Sequence, residues 1–181
     1  MKKLIAVNTK EDISPEYRDT PIGLLLEYHN LNRPQEDYES AQLLVGMCMD
    51  NRKCLNIPHN FSFIIRTGGA NLHYSEFKVS FAIAVGKVKH IALIGHNHCG
   101  MVNLASRKEE FVAGLVDSAG WEKVKANEHF LHYAPLFEIG NAADFIVSEA
   151  QRLRLRYPKI LIAPLFYTVE NNRLSFISEN D

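Results

Sequence analysis

Short apolar runs alternate with longer segments of helical spacing along most of this chain. Residues 42–47, 61–65 and 90–94 have the length and flanks of buried strands. Between the last two runs, residues 74–87 repeat apolar side chains every three or four positions and predict an amphipathic helix. Its apolar face consists of Phe77, Phe81, Ala84, Val85 and Val88. A strand, a helix and a strand in so short a span predict a βαβ unit with parallel strands.

The N-terminal part is harder to interpret. Residues 1–20 are polar and show little pattern beyond a short apolar start. Residues 21–30 predict a helix, because Pro21 suits the first helical turn. The large apolar residues of this helix need a partner surface, which is either the core of the same domain or a second subunit.

The C-terminal part predicts helices followed by a hairpin. Residues 101–140 look helical but irregular, with a break at Pro135, and residues 141–157 form a clear amphipathic helix. Residues 160–169 predict a strand, and the asparagine-containing turn after it leads into a short return strand over residues 174–177. Without repeats or linkers, the whole chain, residues 1–181, is interpreted as one α/β domain with a C-terminal edge hairpin.

Composition excludes several classes of function. The chain has 181 residues, of which 46% are hydrophobic, and a net charge of −1, which offers no electrostatic attraction to nucleic acid or to a membrane surface. No apolar run is long enough to span a bilayer. The three cysteines are an odd number, which argues against a disulfide framework and for a reducing compartment, so we expect a cytoplasmic protein.

Candidate chemistry lies where two of the predicted strands end. The first run leads into Cys48, and the third leads through Gly95 to His96 and Cys99. Because parallel strands present their carboxyl ends at one edge of the sheet, we expect Cys48, His96 and Cys99 to meet there. Two thiolates and one imidazole favour zinc over magnesium or calcium. Three protein ligands leave one position for water, which is typical of a catalytic zinc site.

Two further features bear on this site. Cys54 could close it as a fourth ligand, although six residues from Cys48 is a wider gap than structural zinc pairs use. Asp50 and Arg52 lie two and four positions after Cys48 and could be an ordinary surface ion pair. With zinc present, they are better explained as a carboxylate that orients the bound water and an arginine that keeps this carboxylate ionised.

These motifs together resemble the β class of carbonic anhydrases. The match lies in Cys-x-Asp-x-Arg at residues 48–52 and His-x-x-Cys at residues 96–99, and this pairing is far more specific than either motif alone. Residues 66–69, Arg-Thr-Gly-Gly, resemble the family's Arg-Asn-Ala-Gly stretch, and residues 166–174 resemble its closing hairpin. Departures from the family pattern are Thr67, Gly68, Pro164 and Asn172, and none of them touches the proposed ligands.

The resemblance implies a fold, an assembly and a reaction. The fold would be a mainly parallel β-sheet flanked by helices, assembled as a homodimer or homotetramer in which the arm formed by residues 1–40 packs on a partner subunit. The reaction would be reversible hydration of carbon dioxide to bicarbonate by hydroxide on zinc, with Cys48, His96 and Cys99 as ligands. Asp50 would accept a hydrogen bond from the hydroxide, and Arg52 would hold Asp50 in place.

Several alternatives stay open at this point. The same zinc chemistry would serve a hydrolase of carbon disulfide or carbonyl sulfide, and a closed site would indicate a non-catalytic zinc-binding module. Asp50 could leave Arg52 and bind the metal at low pH, as in some family members. Among the eight histidines, His98 is nearest to the ligands in sequence, but the sequence does not identify a proton shuttle.

Overall fold

One mixed sheet of six strands organises the computed structural model, which describes residues 2–179. In chain order the strands are β1 (Leu4–Ala6), β2 (Leu43–Cys48), β3 (Ser62–Thr67), β4 (His90–His96), β5 (Leu161–Thr168) and β6 (Arg173–Ile177). Their order across the sheet is β1-β6-β5-β4-β2-β3. The four strands β2 to β5 are parallel, whereas β1 and β6 are antiparallel to their neighbours. The predicted α/β fold with a C-terminal hairpin is therefore confirmed.

Six α-helices accompany this sheet in the described residues. They are α1 (Pro15–Arg18), α2 (Pro21–Leu31), α3 (Glu76–Ala84), α4 (Lys108–Ala119), α5 (Lys123–Phe137) and α6 (Ala142–Arg156). Alternate residues of the central strands point to opposite faces, so α2 covers one face while α3 and α6 cover the other. No helix in this part of the chain is long and apolar enough to cross a membrane.

Helix α2 packs on the sheet of its own chain. It begins with Pro21 in its first turn, where the hydroxyl of Thr20 accepts a hydrogen bond from the Ile22 amide. Leu25 and Leu26 are fully buried in one core cluster with residues of β2 and β4. Of the two partner surfaces considered for this helix, its own core is therefore in use, and packing of residues 1–40 on a partner subunit stays a prediction.

Residues 2–20 form more regular structure than their sequence pattern indicated. Strand β1 pairs antiparallel with β6, so it lies outside the C-terminal hairpin at that edge of the sheet. Tyr17, in α1, stacks on Phe176 of β6 with ring centroids 5.4 Å apart. A strand of three residues and a helix of four are too short to produce a recognisable hydrophobic period.

Helix α3 turns much of its apolar surface outward. Val79 and Ala82 are buried in the core, but Phe77 is 82% exposed, Phe81 50% and Val85 60%. Spacing reveals which residues share a helix face, but it does not reveal which neighbour covers that face. Phe77, Phe81 and Val85, which we call the α3 face, therefore form an exposed apolar patch in the single chain.

Helix α6 approaches the strand that carries His96 because of a glycine. A Cβ atom added to Gly95 would lie 2.7 Å from Cγ1 of Ile146, closer than real Cβ contacts. The side chain of Asn141 caps this helix by accepting hydrogen bonds from the amides of Ala143 and Asp144. This close packing holds the carboxyl end of β4 against a rigid element.

Candidate metal centre

Three of the predicted site residues meet at one edge of the sheet. Cys48 ends β2, His96 ends β4, and Cys99 lies in the turn that follows β4. Their ligand atoms all lie within 4.8 Å of one another, and the two Sγ atoms are 3.9 Å apart. All three residues are buried. The sheet therefore brings these side chains together as the order of elements led us to expect.

The imidazole of His96 has one nitrogen free for a metal. Its Nδ1 lies 2.8 Å from the carbonyl oxygen of Asn97, which fixes the ring. Its Nε2 is buried and has no hydrogen-bond partner among the described residues. Buried polar atoms without a partner are rare, so this nitrogen is well suited to bind a group that is not part of the polypeptide. With two sulfur donors nearby, the group fits a zinc ion.

The protonation of each thiol depends on the other. A hydrogen bond from Cys99 lowers the pKa of Cys48 to about 3, although burial opposes this shift. The same bond, together with burial, raises the pKa of Cys99. Main-chain amides add to the stabilisation of sulfur charge: those of Asp50 and Gly69 contact Cys48, and that of Met101 contacts Cys99. The site without a metal therefore favours negative charge on the sulfur of Cys48.

The paired glycines after β3 bring one of these amides into place. Gly69 has a φ of 63° and Ala70 a φ of 62°, both in the left-handed region. A Cβ atom on Gly68 would lie 3.0 Å from Sδ of Met101. The two glycines thus serve a left-handed backbone and a close approach, and the turn packs against Met101, which follows the metal-site loop.

Asp50 and Arg52 form a bidentate pair at the rim of the centre. Nε of Arg52 lies 3.0 Å from Oδ1 of Asp50, and Nη2 lies 2.6 Å from Oδ2. These bonds are the main reason why the pKa of Asp50 is far below its usual range. The Asp50 side chain is only 16% exposed, and its Oδ2 lies 4.0 Å from Nε2 of His96. The pair thus faces the three donors and differs in this from an ordinary surface ion pair.

Two cations behind the centre were not anticipated from the sequence. Arg66 donates hydrogen bonds to the carbonyl oxygens of Cys48, Asp50 and Lys53, so it clamps the whole turn after β2. Lys53 is 2% exposed, and its Nζ donates to the carbonyl oxygen of Asp50 at 3.2 Å. A lysine directly after an arginine normally indicates a solvated surface, so the sequence offered no signal for this burial.

His98 and Cys54 both lie apart from the three donors. The His98 side chain is 68% exposed, and its Nε2 lies 3.0 Å from Oε1 of Glu170. Its carbonyl oxygen, however, accepts a hydrogen bond from Arg52, which ties the two site loops together. Cys54 is exposed and does not belong to the group of donors that could hold a metal.

Two cavities of different character lie beside the loops of the centre, although Cys48, His96 and Cys99 line neither of them; His96 and Cys99 line a third cavity of about 520 Å³. A polar basin contains Asp50, Arg52, His98 and Arg107, and Met49 lies on its border. Met49 also lines an apolar cavity of about 380 Å³. The other apolar walls come chiefly from Met101, Phe111, Phe130, Tyr133 and Phe137.

Comparison with known proteins places these observations in one family. Residues 44–152, more than half of the chain, match the sequence profile of the family described as "Carbonic anhydrase". A carbonic anhydrase structure from Glaciozyma antarctica is similar at 22% identity and a TM-score of 0.60, covering 78% of this chain and 85% of that one. A β-carbonic anhydrase structure from Trichomonas vaginalis is similar at 17% identity and a TM-score of 0.61, covering 82% and 90%.

A third similar structure has a different activity in its name. It is the apo form of a carbon disulfide hydrolase, with 19% identity and a TM-score of 0.55, covering 77% of this chain and 80% of that one. No curated protein matches this sequence. At these identities the structural likeness establishes the fold, while the profile match establishes the family.

Proposed function

This chain belongs to the β-class carbonic anhydrase family, and from that premise we propose that it hydrates carbon dioxide reversibly with zinc on Cys48, His96 and Cys99. The observation that carries the proposal is the convergence of these three buried donors beside a carboxylate that is already paired with an arginine. When bound at such a site, zinc acts as a Lewis acid and brings the pKa of a ligated water from ~15.7 toward neutrality.

The protein's own residues would then orient and stabilise the reactants. Asp50 would accept a hydrogen bond from the reacting water and would not serve as an acid, because Arg52 holds its pKa far below the usual range. Arg52 also donates to the carbonyl oxygen of His98, so one side chain fixes the relative position of both loops. Such fixed geometry lowers the cost of reorganisation during the reaction.

We propose that substrate and product use different sides of the centre. Carbon dioxide is neutral and lacks a dipole, so it suits the apolar cavity that begins at Met49. Bicarbonate, an anion, suits the polar basin with Arg52 and Arg107. The same apolar cavity also suits carbon disulfide or carbonyl sulfide, which keeps hydrolysis of these molecules as the second candidate function.

Stopped-flow hydration of carbon dioxide by the zinc-loaded protein tests the proposal. We expect clear turnover by the wild type and a loss of about 10- to 100-fold in Asp50→Asn, with zinc content unchanged. Glu122→Gln removes a carboxylate from an exposed ion pair with Lys125 and should keep wild-type activity. Absence of wild-type turnover at neutral and alkaline pH, with faster hydrolysis of carbon disulfide in a parallel assay, would favour the second candidate.

We further propose that the protein is a homodimer that associates through β3 and the α3 face. Strand β3 lies at an open edge of the sheet, and its Phe63 and Ile64 are 39% and 45% exposed. Exposed apolar edge strands are sites of chain association. Ile64→Asp with Phe77→Asp should give monomers in sedimentation experiments, whereas Leu155→Asp, at a residue 86% exposed on α6, should not.

A reducing compartment suits the proposed ligands. Cys48 and Cys99 must stay reduced to bind zinc, and their sulfur atoms lie close enough that oxidation would compete with the metal. We therefore propose a cytoplasmic location, which fractionation of the native cells would test directly.

A further inference from the structure

Lys53 is a buried cation for which the reaction described above has no use. It is 2% exposed and is among the largest side chains that are fully buried. Its ammonium group donates to the carbonyl oxygen of Asp50 at 3.2 Å. Lysine is almost never fully buried unless it is paired, because removing its charge from water is costly. A buried charge at this position therefore needs a compensating interaction or a function.

This ammonium lies beside the turn that begins at Cys48 and carries Asp50. Burial and the charge of Arg66 lower the pKa of Lys53, and the charges of Cys48, Asp50 and Cys99 act against that shift. These are two of the three proposed ligands and the orienting carboxylate. Lys53 thus lies within electrostatic reach of the centre, although it contacts the turn through a main-chain carbonyl.

Hydrogen bonding alone does not explain this lysine. Arg66 already donates to the same carbonyl oxygen of Asp50 at 3.3 Å and also holds the carbonyl oxygens of Cys48 and Lys53. The turn after β2 is therefore clamped without the help of the lysine. What Lys53 adds beside the Arg66 guanidinium is a second positive charge, which is buried in a region where charges interact more strongly than they do in water.

We propose that Lys53 is a positioning residue whose buried positive charge favours small anions at the open corner of the metal centre, in particular the bicarbonate formed there. The inference rests on the proposed hydration of carbon dioxide, because bicarbonate is the product of that reaction. The charge sits on the protein side of the turn, opposite the solvent-facing Arg52. It acts on the site without occupying it, and its burial protects it from screening by salt.

Anion affinity and stability together test this role. Lys53→Met keeps most of the length of the side chain and removes its charge together with its hydrogen bond to the Asp50 carbonyl. The matched control is Lys87→Met, which removes an exposed lysine whose Nζ also donates to a main-chain carbonyl, that of Ala84. Azide is titrated into each zinc-loaded protein by calorimetry, thermal unfolding is recorded, and kcat/KM for hydration is measured against pH.

We expect the azide Kd to rise at least about tenfold in Lys53→Met and to stay unchanged in Lys87→Met. The unfolding temperature of Lys53→Met should be equal or higher, because a well-packed apolar side chain often replaces a buried charge without cost. The midpoint of its pH profile should move upward by about one unit, a change that a merely structural role would not produce.

Three results would overturn the assignment: an unchanged azide Kd in Lys53→Met, an equal change in Lys87→Met, or weaker binding accompanied by a lower unfolding temperature. Azide that fails to bind the zinc-loaded wild type would overturn it as well. Failure of the proposed function is a separate result, seen as absent hydration by the wild type, and the azide titrations still decide the role of Lys53 in that case.

Discussion

Arg52 binds both carboxylate oxygens of Asp50, with Nε 3.0 Å from Oδ1 and Nη2 2.6 Å from Oδ2. The same Nη2 donates to the carbonyl oxygen of His98 at 3.0 Å. One guanidinium group therefore links the loop that follows Cys48 to the loop that follows His96 and carries Cys99. The pair sets both the charge of Asp50 and the distance between the two halves of the centre.

Removing Arg52 should change the titration of Asp50. Arg52 holds the pKa of this carboxyl far below its usual range, so the carboxylate stays ionised throughout the ordinary acid range. In Arg52→Met its pKa should rise, so the carboxyl takes up a proton at a higher pH than in the wild type as the pH falls. Carbon-13 NMR of labelled aspartate measures this titration.

Arg107→Met is the matched control, because Arg107 lines the same basin but pairs with Glu110. An Asp50 titration that moves equally in both variants would show that general charge in the basin, and not the bidentate contact, sets this pKa.

Replacing two different cysteines should separate an open zinc site from a closed one. Cys54 is exposed and lies outside the group of donors, so Cys54→Ser should keep both zinc content and hydration rate. Cys99→Ser removes a soft ligand and should lower zinc affinity by orders of magnitude. Elemental analysis after dialysis against a chelator measures the zinc content of the two variants, and stopped-flow measures their hydration rates. Loss of zinc from Cys54→Ser would instead support the non-catalytic, four-ligand alternative.

Two glycine substitutions should have opposite effects on stability. A Cβ atom on Gly95 would meet Ile146 at 2.7 Å, so Gly95→Ala should force α6 away from β4 and cost about 1–3 kcal/mol. Gly114 lies in α4, and a Cβ atom added there would meet nothing within 4 Å, so Gly114→Ala should stabilise by up to about 1 kcal/mol. Urea unfolding of the two variants gives both values. Equal changes would contradict the packing described for α6.

Stability should fall in mild acid because of His29. Its Nδ1 accepts a hydrogen bond from the Asn56 amide at 3.0 Å, and burial lowers its pKa. Below the ordinary histidine pKa of about 6.5, His29 is protonated in the unfolded chain but still neutral in the folded chain. The free energy of unfolding should therefore decrease as the pH falls from about 7.5 to about 5.5.

Urea unfolding at both pH values measures this loss, which should be smaller in His29→Gln. His59→Gln, at an exposed histidine, should leave the loss of unfolding free energy between the two pH values the same as in the wild type. A wild-type stability that increases toward acid would contradict the neutral state assigned to the half-buried His29.

Sequence patterns predicted those parts of the molecule that depend on local spacing. The strands leading to Cys48 and His96, the helix ending before Pro158, and the C-terminal hairpin all follow from short-range hydrophobic periods and turn residues. Because the carboxyl ends of parallel strands share one sheet edge, the meeting of Cys48, His96 and Cys99 could also be expected from the order of elements alone.

Features that depend on distant partners could not be predicted in this way. Strand β1 exists because β6 offers it an edge, and nothing within its three residues indicates that partner. The α3 face has the spacing of a core helix, yet Phe77 is exposed because no element among residues 2–179 covers it. Lys53 is buried because the turn after β2 folds over it, although its sequence neighbours are typical of a surface.

Zinc on Cys48, His96 and Cys99, with one position left for solvent, can be examined directly by X-ray absorption at the zinc edge of the purified protein. We expect one zinc per chain with two sulfur ligands at ~2.3 Å, one nitrogen at ~2.0–2.1 Å and one further light atom. A zinc-free native protein, or a metal with three or more sulfur ligands, would contradict this expectation.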